Sequence, residues 1–356
     1  MTTKNFLQKG FTLAHAGSAV VLVFVLVAIF AEFFAPYDYR QQSRSEPSAP
    51  PTVINFREAS GNLDLTAPSV FRRSLADPLH LTYVEDKAQG YPVKLVVRGS
   101  NYELLGLIKS DLHLFGVSGE NPPRLNLLGT DALGRDRFSR LTHAVRFSLI
   151  VCSLGVILAC LIGIVIGVVS GYSSRSADTI LMGATDAMLS LPTLILILAA
   201  RTAFPLELPP WRAAFLLLLI FALTGWAEMA RLARGLVLET RQREFVTAAV
   251  ATGVTQTRIL FRHILPNISR PLITQALLML PAFLLAEIAL SYLGVGVQEP
   301  EASLGNMLTA ASDLNQLRMQ PVSMLSPALV IFIFVLGIRL LSGREKKGET
   351  SDTPTV

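Results

Sequence analysis

The chain has 356 residues, 51% of them hydrophobic and only 16% charged, with a mean hydropathy of +0.49. A soluble domain carries about 25% charged residues, so the composition points to a membrane protein and excludes disordered, collagenous and disulfide-scaffold classes. The net charge of +5 resides in basic residues beside apolar runs, not on one soluble face, which argues against a nucleic-acid partner.

The first apolar run, from about residue 11 to 35, contains AVVLVFVLVAIFAEFF. It exceeds the h-region of a signal peptide, and no small-x-small cleavage site follows it, so an uncleaved transmembrane helix is expected. Residues 37–128 then turn polar. From 38 to 128 ten acidic residues balance ten basic ones. YPVKLVVRGSNYELLGLI alternates apolar and polar residues on both sides of Gly99-Ser100-Asn101. That pattern predicts a β-hairpin over about 92–108 in a small β-containing module.

Five more runs follow, at about 145–171, 179–200, 212–231, 268–293 and 322–341. Each approaches the roughly 20 residues that cross a 30 Å hydrocarbon layer and face membrane lipid. Pro192, Pro271 and Pro281 fall in two of these runs, where membrane helices tolerate them. Cys152 and Cys160 are eight residues apart in one run, a rise of about 12 Å on a helix, too far to pair. With the N-terminus inside, thirteen Lys and Arg flank the inner ends of the spans against three in the short outer loops. The positive-inside rule then predicts six spans, both termini cytoplasmic and the insertion outside. Gly163, Gly167 and Gly171 make a small-residue stripe, fit either for packing within one subunit or for a dimer contact.

Between the fourth and fifth runs lies RLARGLVLETRQREFVTAAVATGVTQTRILFRHILPNISRP. It is basic and helical in propensity, with one break at Gly253. Two short helices joined there are expected along the membrane face, with Gly253 in the left-handed position and Pro266 at the entry to the fifth span. Ala248 and Ala249 leave a surface against which another protein's groove can close.

This segment resembles the coupling loop of permease subunits in bacterial ATP-binding-cassette importers, in the form typical of the dipeptide, oligopeptide and nickel family. LLGTDALGRDRFSRLTHAVRFSL at 127–149, DAMLSLPTLILIL at 186–198 and AEIALSYLGVGVQEPEASLGNML at 286–308 resemble further motifs of that family. The likeness is closest to the second, C-type permease of such a pair. Here Thr247 replaces the glutamate that names the loop, Val250 and Thr252 replace the usual Arg and Leu, and the insertion exceeds the usual length.

The resemblance implies an all-α polytopic membrane protein with six transmembrane helices of the type I importer fold. Together with the composition and charge pattern, it divides the chain into a cytoplasmic N-terminus and helix 1 in 1–36, an extracytoplasmic insertion with a small β-containing part in 37–128, the permease core in 129–342 with its coupling loop at 232–267, and a cytoplasmic tail in 343–356. It implies separate ATPase subunits docking on 244–265, where Glu244, Ala248, Ala249, Gly253, His263, Leu265 and Pro266 lie. It also implies a second, non-identical permease and an extracytoplasmic solute-binding protein that delivers a peptide or related solute.

No phosphate-binding loop, H-E-x-x-H or C-x-x-C occurs, and the five histidines show no ligand spacing. No catalysis, metal or cofactor is therefore expected in this chain. A self-sufficient transporter would carry inverted repeats, and none is legible. Asp178, Asp186, Glu228 and Glu287 lie in or near apolar runs, where a charge is expected to face a cavity or partner. Glu287 is expected to point inward, in either an interhelix bond or a pathway, and Asp186 falls under the same reading. Asp178 is expected to cap a helix N-terminus.

Overall fold

The structure, a computed structural model, describes residues 2–56, 68–205 and 208–349, with side chains from 15 to 342. In chain order the helices and strands are α1 (Thr2–Ile29), α2 (Ala31–Phe34), β1 (Ser69–Asp77), β2 (Thr82–Leu104), β3 (Ile108–Val117), α3 (Arg137–Tyr172), α4 (Arg175–Ser190), α5 (Thr193–Thr202), α6 (Pro210–Arg241), α7 (Glu244–Ala251), α8 (Gln256–Ile259), α9 (Leu265–Tyr292), α10 (Leu304–Thr309), α11 (Leu314–Met319) and α12 (Pro321–Glu349). A π-helical turn, Leu260–Ile264, joins α8 to α9.

Among the described residues, four helices are long and apolar enough to cross a membrane: Arg137–Tyr172, Pro210–Arg241, Gln256–Tyr292 and Pro321–Ser342. The run expected as one span at 179–200 is instead α4 and α5, bent by 86°. Pro192 clashes with helical backbone at the residue before it. Leu191 is accordingly extended, at φ −91° and ψ 134°. The described apolar part of α1, His15–Ile29, is shorter than the other spans.

By contact the chain divides into two compact units: Met1–Val21, Leu149–Gln298 and Phe332–Val356 in the first, and Leu22–Ser148 with Glu299–Ile331 in the second. In the first unit α6 packs on α4, α5 and α9. The Phe221 and Phe283 rings stack at 4.8 Å between centroids. The glycine stripe of α3 faces α6. A Cβ at Gly163 would lie 2.7 Å from the Met229 Cβ, one at Gly167 2.7 Å from the Ala233 Cβ, and one at Gly171 2.8 Å from a Val237 methyl. Between intrachain packing and a dimer contact, the stripe therefore serves the first, since the missing side chains let two backbones of one chain approach.

The second unit holds an antiparallel sheet in the order β1-β2-β3. Val70, Tyr91, Val117 and Leu125 form its buried core. The hairpin turn falls at Leu105–Leu107, with Gly106 at φ +70°, and not at 99–101. Gly99, Ser100 and Asn101 instead bulge, because Arg98 pairs with Leu112 and Tyr102 with Ser110. The His113 ring occupies the space a Cβ at Gly99 would need. Its Nδ1 lies 2.6 Å from the Ala35 carbonyl and its Nε2 3.0 Å from that of Ser100. The bulge is thereby pinned to the end of α2.

Candidate functional site

The basic segment after α6 folds as a short helix beyond the end of a long one. Arg241 donates to the Gly171 carbonyl at 2.5 Å and lies over the Tyr172 ring, tying the end of α6 to the end of α3. Arg243 is extended, at φ −71° and ψ 145°, and α7 starts at Glu244. An acidic residue in the first turn suits the positive end of the helix dipole.

The helix stops in a Schellman motif. The Gly253 N–H donates to the Val250 carbonyl (3.0 Å) and the Val254 N–H to that of Ala249 (3.2 Å), with Gly253 at φ +78°. Glycine adopts that conformation without the Cβ penalty. The second half differs from the expectation of a separate short helix. It runs from α8 through the π turn into α9, and Pro266 lies inside that continuous helix. Lacking an N–H, Pro266 cannot continue the i→i−4 ladder. The Leu265 N–H reaches back to Leu260 instead, and Asn267 Nδ2 donates to the His263 carbonyl at 2.6 Å.

Only Val246 of α7 is buried, and it is joined inside by Ile259 and Ile264. Phe245, Val250 and Phe261 stay 40%, 49% and 65% exposed. Glu244, Ala248, Gly253 and Pro266 are exposed, whereas Ala249, His263 and Leu265 are half-buried. The fold brings the two halves together: α7 packs on α8, with the Phe245 and His263 rings 6.5 Å apart. This arrangement offers a small-residue helix face flanked by exposed apolar side chains.

The other candidates hold separate partners. Asp186 of α4 is ion-paired with Arg231 of α6 at an exposed site. Glu287 of α9 is fully buried and accepts a bond from Ser291 at 2.8 Å. Asp178 does not cap α4. Ser174 occupies the N-cap, and Asp178 accepts a two-pronged pair from Arg234, with Nε at 2.5 Å. A partner 56 positions away outcompetes the local cap, since a bidentate guanidinium–carboxylate pair is the stronger bond.

In the sequence, 127–149 and 286–308 are legible only as family-like motifs. Within the second unit, the portions 127–148 and 299–308 are tied to one another and to the chain around them. Arg135 and Arg140 both pair with Glu299, at 2.5 and 2.9 Å, and Arg135 also pairs with Asp131 at 2.6 Å. Thr130 donates to the Glu46 carbonyl at 2.5 Å. Asp136 caps α3, accepting from the Ser139 N–H and hydroxyl at 2.7 Å each. Full burial pushes its carboxyl up to about 6. Glu299 and Glu301 are consecutive acids with one proline between them, and that doublet opposite G-R-D-x-x-S-R was the available signal. Glu301 accepts from the Tyr39 hydroxyl at 2.7 Å.

Residues 163–343 match the family described as binding-protein-dependent transport system inner membrane component. Residues 12–51 match the N-terminal TM domain of oligopeptide transport permease C. The oligopeptide transport system permease protein OppC of Bacillus subtilis is 32% identical, over 63% of this chain and 72% of its own length. A putative peptide permease protein of Brucella suis is 35% identical, over 65% and 74%. The di/tripeptide transport system permease protein DppC of Pseudomonas aeruginosa is 36% identical, over 60% and 68%. Among solved structures, a chain of the MetNI methionine ABC transporter aligns with 59% of this chain and 95% of its own length, at 15% identity and a TM-score of 0.47.

Proposed function

Because the chain belongs to the family of binding-protein-dependent transport system inner membrane components, we propose that it is the C-type permease subunit of an ABC importer for peptides. Its relatives carry oligopeptide and di/tripeptide transport in their names. Six spans make up its membrane part: the four long helices, the bent α4–α5 pair and α1. Both termini face the cytoplasm and the 37–128 insertion faces outward, in keeping with the basic residues near the inner ends. A second, different permease completes the pathway. An extracytoplasmic binding protein delivers the solute, and separate ATPase subunits drive the cycle.

The observation that carries the coupling role is α7. It is an eight-residue helix with Phe245 and Val250 exposed and a rigid Schellman end. Such a helix fits a groove of an ATPase and transmits its movement through the continuous α8–α9 helix as a lever. Ala249→Arg tests this. The long charged side chain projects from a half-buried position on the docking face while every span stays intact. The expected outcome is a stable, inserted protein that neither retains the ATPase in pull-down nor supports peptide uptake. Full binding and uptake by this variant would show that coupling lies elsewhere.

A further inference from the structure

Within the second unit a cavity of about 270 Å³ opens beside the first turn of α3, lined in part by Asp131, Arg135, Arg137, Arg140, Glu299 and Asp313. Its three arginines and three carboxylates balance in number but not in pairing. Arg135 is held by Asp131 and Glu299, and Arg140 by Glu299 and, at 3.7 Å, by Asp131. The Asp313 carboxylate accepts the Asn315 and Gln316 backbone N–H groups at the start of α11. Arg137 has no carboxylate within ion-pair distance among the described residues. It is only 3% exposed, and its Nη2 donates to the Ser323 carbonyl at a long 3.3 Å. Its Nε and the Nη1 of Arg140 are buried donors with no partner among the described residues.

Arg137 and Arg140 are three apart on one helix, hence on one face. A buried guanidinium with an empty donor is strongly unfavourable unless an acceptor fills it. The group that satisfies planar guanidinium donors is a carboxylate, which takes two parallel N–H bonds. Met307 and Ala310 add apolar wall to the same cavity. An acid with an organic body therefore fits better than a bare inorganic anion. The volume admits the end of a short chain but not a folded segment.

We propose that this cavity binds the C-terminal carboxylate of a short peptide, with Arg137 as the principal ligand and Arg140 as the second donor. The identity of the ligand rests on the peptide-importer reading above; the anion site rests on the cavity itself. A permease-borne site of this kind would hold the free end of the solute at the end of α3 that follows the insertion.

The test uses the assembled transporter, with its ATPase and partner permease, in nanodiscs without binding protein or ATP. Trialanine and trialanine amide are titrated by calorimetry, and sodium acetate is scored by thermal shift against sodium chloride. Wild type is expected to bind the free acid at least tenfold more tightly than the amide and to be stabilised by acetate. Arg137→Gln should erase both effects, and Arg137→Lys should keep part of the preference. Equal affinities for acid and amide in wild type, or an unchanged ratio in Arg137→Gln, would overturn the proposal. An acetate response without a preference for trialanine over its amide would overturn the peptide terminus as ligand. Uptake of trialanine with the binding protein present is scored separately. Its absence in wild type counts against the importer's solute, whereas the acid-to-amide ratio does not depend on it.

Discussion

Replacing Gly253 with alanine isolates the backbone contribution of the turn after α7. Its φ is +78°, and an added Cβ would meet nothing within 4 Å. Steric crowding by neighbours is therefore absent, and the whole effect is the left-handed conformation, about 1–2 kcal/mol for a residue with a Cβ. Unwinding the turn to escape that strain forfeits the two bonds at 3.0 and 3.2 Å, each contributing about 0.5–1.5 kcal/mol net. The less costly route sets the effect, so the balance between docked and frayed α7 shifts by at most about 1–2 kcal/mol, roughly five- to thirty-fold. Asparagine tolerates this conformation better than alanine, and a β-branched residue tolerates it least. Amide exchange at Val254 should accelerate, and peptide uptake should fall, in the order Gly, Asn, Ala, Val, with membrane insertion unchanged. Equal exchange and uptake for Gly253→Val and wild type would refute the reasoning, because the Schellman bonds would then not govern the position of α7.

Gly167→Leu drives a side chain into α6, where a Cβ already lies 2.7 Å from the Ala233 Cβ and 2.9 Å from the Arg234 nitrogen. Backbone cannot yield, so a loss of about 1–3 kcal/mol or more is expected, read as a lower thermal midpoint in detergent. Gly235→Ala in α6, where nothing lies within 4 Å, should match or exceed wild type by up to about 1 kcal/mol. Asp136 supplies a pH prediction. Burial raises its carboxyl from 3.8 to about 6, so between those values the folded chain keeps a proton that the unfolded chain has released. Its contribution to stability is therefore largest at low pH and is lost as pH rises through about 6. Asp136→Asn should flatten that part of a midpoint-against-pH curve between pH 4 and 7; parallel curves for the two proteins would refute the assignment.

The apolar runs that became α3, α6, α9 and α12 were legible because crossing hydrocarbon demands a local property, about 20 consecutive apolar residues. The turn at Gly253 was legible for a similar reason, since a single glycine ending a helix carries its own backbone signature. What remained hidden depended on partners distant in sequence. Gly99-Ser100-Asn101 has turn composition, yet it became a bulge because the long-range pairing of β2 with β3 and the ring of His113 set the register. Asp178 sits where a cap would sit, yet Arg234 claims it. The spacing of Gly163, Gly167 and Gly171 announces close approach without naming the approaching helix, and only the packing on α6 decides it. Pro192 is tolerated in many membrane helices, and whether it kinks a span or breaks it depends on the neighbours that take up the freed backbone groups; here it divides α4 from α5. The cavity at Arg137 was wholly unreadable from sequence. Arg135 and Arg140 find their acids in Glu299 and Asp131, while Arg137 is left over, and that remainder exists only once tertiary structure has distributed the charges.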